Sequence, residues 1–254
     1  MDKGHKDFFW NFGYLIVDSL LSEQKLSSLL DQLEPVWLSK NAPEGILNFE
    51  IQDWKLKTGK KRLQDLWSVI PEVRELAINS NILNILEFLF DDKPRPFQTL
   101  NFPVGTQQSV HSDALHFNSE PFGRMCGVWI ALEDIKAESG PLFYYPKSHH
   151  LPELSEKVMG FHPTFDNYSK IIDYWENQIR VNNLQRKEAI IKKGQALIWH
   201  ANLLHGGMPR TDSSLTRHSQ VTHYYFGEAK PWRQMESTNK VLYFEPNWIP
   251  ISKT

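Results

Sequence analysis

The sequence predicts a mainly β protein with N-terminal helices, in which antiparallel strands curl into a barrel or jelly roll. Over about residues 1–95, leucines and isoleucines recur at helical spacing, whereas the following part consists of short apolar runs rich in β-branched and aromatic residues. Gly, Pro, Asp and Ser separate most of these runs, and no helix-length apolar pattern lies between most of them. A parallel sheet made of strand–helix–strand units is therefore disfavoured.

The helical part contains clear start and stop signals. Ser22 is a candidate N-cap, and leucines follow it at helical spacing as far as Pro35, which should end the helix. Pro71 suits the first turn of a second helix, and helical periodicity starts again at Ser80. Ahead of these helices, the aromatic residues 8–18 predict a short strand that enters a turn.

The polar, irregular stretch 39–65 holds a basic cluster, which consists of Lys55, Lys57, Lys60, Lys61 and Arg62. We interpret this cluster as part of a solvated loop, because charged runs usually remain in water. A contact for an acidic substrate is the alternative interpretation.

Six runs predict the strands of a β core over about 96–226; they are 96–104, 124–133, 141–146, 189–192, 195–205 and 215–226. Residues 151–187 interrupt this core as an insertion that contains several aromatic residues, with a predicted helix around 167–186. The insertion is either a lid over a site or a helix packed permanently on the barrel. With the polar tail 227–254, we expect one domain, 1–254.

The composition argues against several classes of function. Lys and Arg number 28 against 30 Asp and Glu, and the formal net charge of -2 gives no attraction to nucleic acid or to an anionic membrane surface. The N-terminus does not resemble a signal peptide, and no apolar run approaches the ~18 residues that a membrane span needs. Cys126 is the single cysteine, so we expect no internal disulfide and a reducing, cytoplasmic location.

The candidate functional centre begins with His111 and Asp113, at the end of an apolar run. In an extended chain, residues two apart point to the same face, so an imidazole nitrogen and a carboxylate oxygen would converge on one point. Two such ligands hold a divalent ion weakly, and a third is needed. Taken alone, this triplet is most simply a chance occurrence on a solvated turn.

His205 is the best-placed third ligand among the ten histidines. It precedes Gly206 and Gly207, where small residues let a ligand approach closely. His200 lies five positions earlier on the same strand-like run, so the two side chains should point to opposite faces, and His200 beside Trp199 should pack inside the wall. Two histidines and one carboxylate on one face of a metal form the facial triad of non-haem Fe(II) oxygenases.

Arg217 supplies an independent signal, because it begins a strand-like run that a turn separates from His205. Ser219 shares its parity, so a guanidinium and a hydroxyl can bind a carboxylate together. A surface arginine is the alternative, and Arg210 in the turn fits that description better. His223 also shares this parity, but at ~20 Å along the strand it should be too far away for the same contact.

The ordered set of motifs resembles the phytanoyl-CoA dioxygenase family of Fe(II)- and 2-oxoglutarate-dependent oxygenases. The matching pieces, over roughly 95–226, are His111-Ser112-Asp113, the run from Gly140 to His149, the run from Gly194 to His200, His205-Gly206-Gly207, and Arg217. The departure is Lys147, where the family often has glycine, and it makes the backbone of that turn less free.

The resemblance implies a double-stranded β-helix, which is a cupin-like jelly roll. It also implies Fe(II) on His111, Asp113 and His205 as the catalytic centre, with Arg217 holding the far carboxylate of the cosubstrate 2-oxoglutarate.

Two further residues enter through the resemblance alone. Trp129 matches a family tryptophan near the cosubstrate, and Gln98 falls where the family places a polar cosubstrate contact. The alternatives are that Trp129 is core and that Gln98 is a strand-edge residue.

The activity implied is a dioxygenase reaction that consumes O2 and 2-oxoglutarate, releases succinate and CO2, and hydroxylates a C–H bond of a small molecule. Halogenation is disfavoured, because Asp113 fills the metal position that chloride would need. Two other functions stay open: a metal-stabilised β-barrel that only binds a ligand, and a Zn(II) hydrolase of the same fold. A monomer and a homodimer are both open.

Overall fold

A computed structural model describes residues 1–18, 21–39, 43–44, 46, 62–237 and 240–251. The strands are β1 (Tyr14–Asp18), β2 (Leu63–Gln64), β3 (Pro94–Phe102), β4 (Asn118–Glu120), β5 (Met125–Ala131), β6 (Leu142–Tyr144), β7 (Lys187–Glu188), β8 (Gln195–His200), β9 (His205–Gly207), β10 (Ser219–Phe226) and β11 (Lys230–Trp232). The α-helices are α1 (Lys3–Phe12), α2 (Glu23–Leu38), α3 (Pro71–Ala77), α4 (Ser80–Phe90), α5 (Glu156–Met159) and α6 (Tyr168–Val181). The four lysines of the basic cluster lie outside the described residues, whereas Arg62 lies inside them.

The strands of the described chain pair into a large sheet, a smaller sheet and a ribbon. The large sheet has the order β1-β8-β5-β10-β3-β2, the smaller sheet has the order β7-β6-β9, and β11 pairs with β4. All these pairs are antiparallel. The prediction of a mainly β, antiparallel fold with N-terminal helices is therefore confirmed.

The large sheet is buried on both faces. One apolar cluster joins its side chains Trp129, Leu197 and Val221 to Leu142 and Tyr144 of the smaller sheet. Because side chains alternate along a strand, the residues between these ones point to the opposite face of the sheet. There they pack against α1–α4 in a second apolar cluster. The helices thus form an outer layer, and the inner face of the large sheet is left to line a site.

The N-terminal segment corrects the prediction of a strand over 8–18, because α1 precedes β1. The side chain of Asp2 caps α1 by accepting a hydrogen bond from the backbone of its first turn, and Gly13 ends the helix with φ 79°. Phe9 is fully buried, and its ring centroid lies 5.4 Å from that of Phe90 in α4. The aromatic residues therefore dock a helix instead of filling a strand.

The second helix begins as predicted but ends later. Ser22 caps α2, whereas Pro35 lies inside the helix. Continuation beyond Pro35 buries Trp37 in the same cluster as Leu33, four residues earlier. Burial of an indole offsets the hydrogen bond that proline cannot donate. Pro71 and Ser80 open α3 and α4 as expected.

Several strand limits differ from those predicted. The run 189–192 is not a strand, because Ala189 and Ile191 are buried in the inter-sheet cluster while β7, just before them, does the pairing. The run 195–205 divides into β8 and β9. Pairing after the next turn begins only at Ser219, so Arg217 precedes β10.

The insertion and the tail both pack on the β core. Ile171 and Trp175 of α6 are buried together with Leu115 and Leu204 of the core region. The tail after 226 is not simply a polar terminus, since it includes β11, and Ile249 donates a backbone hydrogen bond to β3. Among the described helices, none is both long and apolar enough to cross a bilayer.

Candidate metal centre and cosubstrate pocket

His111, Asp113 and His205 converge on one point, with a ligand atom from each within 4.8 Å of the others. An antiparallel bridge brings the two histidines side by side, because each backbone N–H donates to the other's carbonyl at 2.9 Å. Oδ1 of Asp113 lies 3.7 Å from Nε2 of each histidine. All three residues are at most 6% exposed.

In both histidines, the hydrogen bond of Nδ1 determines that Nε2 faces the cluster. Nδ1 of His111 lies 2.9 Å from the carbonyl of Ser109, and Nδ1 of His205 lies 2.9 Å from the carbonyl of Leu203. A carbonyl only accepts, so Nδ1 carries the proton in both rings. Nε2 therefore keeps a lone pair that points towards Asp113, as a metal ligand must.

The other oxygen of Asp113 is held by the wall of the site. Trp199 donates from Nε1 to Oδ2 at 2.8 Å, and His223 approaches the same oxygen with Nε2 at 3.3 Å. Nδ1 of His223 lies 3.0 Å from Oε1 of Gln98. These contacts orient the carboxylate and leave Oδ1 free to face the two histidines.

The protonation states suit metal binding at neutral pH. Burial, followed by the charge of His205, lowers the pKa of His111 to about 3, so its imidazole is neutral. Burial alone would raise the pKa of Asp113, but the histidines around it outweigh that effect, and the pKa lies well below its usual value. A neutral imidazole and an ionised carboxylate are the states that bind a cation.

Arg217 is buried in the same cavity, with only 3% of its surface exposed. One guanidinium nitrogen donates to the carbonyl of Gly140 at 3.2 Å, while Nε is buried without a partner in the described structure. The guanidinium carbon lies 5.4 Å from the ring centroid of Trp129 and 5.6 Å from that of Phe102. Burial lowers the pKa of Arg217 to about 10, which leaves it cationic and in need of an anion.

The structure assigns different surroundings to the three other sequence candidates. Trp129 is fully buried but lines the cavity, and its Nε1 has no partner among the described atoms. Gln98 lines the cavity, and its Oε1 contacts His223, which in turn contacts the Asp113 carboxylate. Ser219 does not line the cavity, and its hydroxyl donates to the carbonyl of Arg217 at 3.3 Å. Its geometry supports a role in holding Arg217 only.

Trp199 and His223 are the contacts that sequence reasoning missed. The sequence places Trp199 next to His200, and strand parity turns Trp199 inward if His200 packs into the wall. Spacing along its own strand separates His223 from Arg217, whereas its partner Asp113 lies across the cavity. No pattern within one strand indicates such a contact.

Lys147, the departure from the family pattern, adopts φ 71°, a conformation that favours glycine. The next residue, Ser148, accepts a hydrogen bond from the backbone N–H of Leu204 at 2.8 Å, directly before His205. The turn therefore keeps a left-handed residue and still supports the strand that carries the candidate ligand.

The cavity has a volume of about 470 Å³, which lies in the range of small-molecule sites. Its donors fit a divalent metal ion on His111, Asp113 and His205. The two orphaned nitrogens, on Arg217 and Trp129, fit a carboxylate beside it. An antiparallel β fold with this cluster is suited to hold a single metal ion, and the cavity has room for a small acidic ligand beside it.

Comparison with known proteins gives the family. The model of the phytanoyl-CoA dioxygenase (PhyH) family matches residues 9–219. The chain belongs to this family, so the resemblance seen in the sequence is confirmed.

The curated relatives include phytanoyl-CoA dioxygenase domain-containing protein 1 from Danio rerio, which is 30% identical over 132 residues, or 51% of this chain and 43% of that protein. The homologue from Caenorhabditis elegans is 22% identical over 65% of this chain and 58% of that protein. The matched part of the chain thus spans about half the length of these relatives.

Solved structures share the fold. The non-haem alpha ketoglutarate dependent carbocyclase SnoK from nogalamycin biosynthesis superposes with a TM-score of 0.72 at 18% identity, over 94% of this chain and 90% of that one. EctD from S. alaskensis with 2-oxoglutarate and 5-hydroxyectoine superposes with a TM-score of 0.68 at 15% identity, over 94% of this chain and 81% of that one. The epimerase SnoN in complex with Fe3+, alpha ketoglutarate and nogalamycin RO superposes with a TM-score of 0.66 at 19% identity, over 92% of this chain and 87% of that one.

Proposed function

We propose that this chain is an Fe(II)- and 2-oxoglutarate-dependent dioxygenase that hydroxylates a C–H bond of a small-molecule substrate. The observation that carries the proposal is that a His-Asp-His cluster and a buried arginine with an unpartnered nitrogen share one cavity. Family membership and the metal and oxo acid named for SnoN support it. We also infer that the large and smaller sheets form a double-stranded β-helix, and that the protein is cytoplasmic.

His111, Asp113 and His205 would hold the metal on one face and leave the opposite positions open to ligands. Fe(II) bound there would supply the oxidative chemistry, in which O2 and 2-oxoglutarate yield succinate and CO2 and one oxygen atom is inserted into a C–H bond.

The other residues position the reactants. Arg217 would bind the far carboxylate of 2-oxoglutarate through its guanidinium, with Trp129 Nε1 as a second donor. The rings of Phe102 and Trp129 exclude water from this contact, which strengthens it. Trp199 and His223 keep the Asp113 carboxylate in one orientation, so that the metal would bind at a preorganised site.

The test is whether 2-oxoglutarate becomes succinate. Purified protein is loaded with Fe(II) without oxygen and exposed to O2 with 2-oxoglutarate, and succinate is measured by mass spectrometry, with Zn(II)-loaded protein and Asp113→Ala as controls. We expect succinate from the Fe(II)-loaded wild type alone, at the slow rate of turnover without substrate.

The two alternatives give different results. A ligand-binding barrel would bind metal without forming succinate, and a hydrolase would act with Zn(II) and without 2-oxoglutarate. Either result would replace the proposed function.

A further inference from the structure

The cavity carries more positive charge than the metal and cosubstrate would use. Among its described lining residues, Asp113 is the only carboxylate, whereas Arg62, Arg217 and Arg233 are all cationic. A divalent metal, Asp113, the 2-oxoglutarate dianion and Arg217 sum to zero charge when the histidine ligands are neutral. Arg62 and Arg233 then remain as two positive charges that no carboxylate among the described lining residues compensates.

Neither of these arginines has a strong partner in the described protein. Arg62, next to the edge strand β2, is half-buried and has no ion pair or hydrogen bond from its guanidinium to any described residue. The Nε of Arg233 lies 3.7 Å from the carboxylate of Glu236, and both side chains are more than a third exposed. Such a long, solvated contact leaves most of the guanidinium fork free.

Aromatic rings hold Arg233 in place and bound the space next to it. Its guanidinium carbon lies 4.3 Å from the ring centroid of Phe244 and 5.7 Å from that of Phe117. Phe117 lines the cavity, and its ring centroid lies 5.5 Å from that of His223, which contacts Asp113. An apolar wall therefore runs from Arg233 to the metal centre.

His116 lines the same cavity as Arg62 and Arg233. Burial lowers the pKa of His116, Asp113 opposes this effect, and the charges of both guanidinium groups lower the pKa further. The ring of His116 lies 6.4 Å from the ring of His111 and hydrogen-bonds Tyr168 of α6 at 3.3 Å. A ligand held by both arginines would thus lie against His116 and Tyr168, close to the metal centre.

We propose that the substrate is a small anion whose carboxylate or phosphate is bound by Arg62 and Arg233 while its apolar body lies along Phe117 towards the metal. The inference rests on the proposed function, because it assigns Arg217 to the cosubstrate. It also gives a role to the one described member of the basic cluster, which sequence analysis favoured as a solvated loop.

Calorimetry on protein loaded with redox-inert Mn(II) and saturating 2-oxoglutarate tests the proposal without turnover. The probes are matched pairs that differ in charge: 3-phenylpropanoate with its amide, 2-phenylethyl phosphate with 2-phenylethanol, and octanoate with octanamide. We expect the anion of at least one pair to bind ~10-fold or more tightly than its neutral partner, because a charge-assisted hydrogen bond is lost in the neutral molecule. Comparison of the carboxylate and phosphate pairs identifies which group the arginines prefer.

Variants assign the effect to the two arginines. Arg62→Gln and Arg233→Gln should each weaken the preferred anion by ~10- to 100-fold, Arg62→Lys should retain part of the binding, and the exposed Arg180→Gln on α6 should change nothing. If a Gln variant unfolds, the salt dependence of anion binding to the wild type decides, since binding by charge weakens as salt rises.

Three outcomes would separate the proposals. If Mn(II)-loaded protein does not bind 2-oxoglutarate, the proposed function fails. If it does, but no probe pair discriminates by charge, only the anionic substrate is refuted. If the Gln variants weaken the binding of 2-oxoglutarate and leave the binding of the probes unchanged, the arginines bind the cosubstrate instead. The inference is then likewise overturned.

Discussion

At the scale of single residues, the candidate ligands are set by contacts outside the cluster itself. His111 and His205 each use Nδ1 on a carbonyl two residues earlier, which turns Nε2 inward. His200 uses Nδ1 differently, as acceptor from the backbone N–H of Asn202 at 3.1 Å, on the other face of its strand. The pair His200 and His205 therefore offers a matched comparison within five residues.

We predict that His205→Ala lowers metal affinity by more than ~100-fold, because the loss of a ligand should exceed the effect of losing a supporting contact. His200→Ala should retain metal, although it should be less stable. Metal content after dialysis, measured by mass spectrometry on samples that circular dichroism shows to be folded, checks both. The reverse pattern would exclude the assigned ligand set.

Arg217 allows an equally direct comparison with an arginine from the neighbouring turn. Arg217→Ala should weaken the binding of 2-oxoglutarate by ~10- to 100-fold, because a charge-assisted contact is lost in a buried pocket. Metal binding should stay unchanged. Arg210→Ala is the control, because Arg210 bonds its own turn through the carbonyl of Asp212 and does not line the cavity. Titration of Mn(II)-loaded protein measures both, and equal cosubstrate affinity in wild type and Arg217→Ala would contradict the role of Arg217.

At the scale of elements, sequence patterns predicted correctly the helix starts that depend on local signals. The cap at Ser22 and the proline that opens α3 are local signals, and both were identified correctly. The absence of helix-length apolar patterns between most of the strand-like runs predicted the antiparallel core. In α1 the signals were also local, Asp2 and Gly13, but the aromatic content outweighed them and suggested a strand.

The site itself was only partly accessible from the sequence. Parity brought His111 and Asp113 together and separated His205 from His200. It could not find the contacts of Trp199 or His223 with Asp113, because those depend on how β8 and β10 are placed relative to a loop more than 80 positions earlier. A pattern within one strand contains no information about a partner so far away in the sequence.

The insertion 151–187 is anchored in one part and exposed beside the cavity in another. Trp175 and Ile171 anchor α6 in a buried cluster, whereas Phe165 is 61% exposed and lines the cavity, just before Tyr168. A mobile cover would therefore be confined to the segment before α6. The lid over the whole insertion stays a prediction, and the structure sharpens where its motion should be found.

Hydrogen exchange should distinguish these parts. We predict that residues 160–167 exchange fast in the metal-free protein and become protected when Mn(II) and 2-oxoglutarate bind, whereas amides around Trp175 exchange slowly in both states. Mass spectrometry of peptides from each state measures this. Equal, slow exchange across 160–167 in both states would mean that the insertion is a fixed wall.

At the scale of the whole molecule, α1 is attached to the β core through buried histidines on the side of the large sheet away from the cavity. Nε2 of His149 donates to the carbonyl of Trp10 at 3.0 Å, and the backbone N–H of His200 donates to the carbonyl of Gly13 at 2.9 Å. Burial lowers the pKa of His149 to about 4, and burial together with its histidine neighbours lowers the pKa of His200 to about 3. Both rings are therefore neutral in the folded protein at neutral pH.

These two histidines should make the fold sensitive to acid. In the unfolded chain their pKa is about 6.5, so above that pH neither state binds extra protons and the full stability is present. As the pH falls from 6.5 towards 3, the unfolded state gains protons that folded His200 cannot accept, because Nδ1 is already an acceptor in a dry site. The free energy of unfolding should then fall by up to about 1.4 kcal/mol per pH unit for His200 alone.

We predict that His200→Asn flattens this loss, although it lowers stability at pH 7.5 by removing buried packing. Urea unfolding of metal-free protein at pH 7.5, 6.5, 5.5 and 4.5 gives the slope for each variant, and metal-free samples avoid the separate loss of metal ligands to protons. His150→Asn is the comparison, because His150 is the exposed neighbour of His149 and its ring makes one long contact, 3.3 Å, to a carbonyl. Its charge is the smallest of the causes that lower the pKa of His149 and of His200. The wild type and His150→Asn should therefore have similar slopes below pH 6.5, and His200→Asn should show a clearly smaller one. If all three variants lost stability in parallel, other groups would be responsible for the acid sensitivity, and the neutral, buried state of His200 would have to be abandoned.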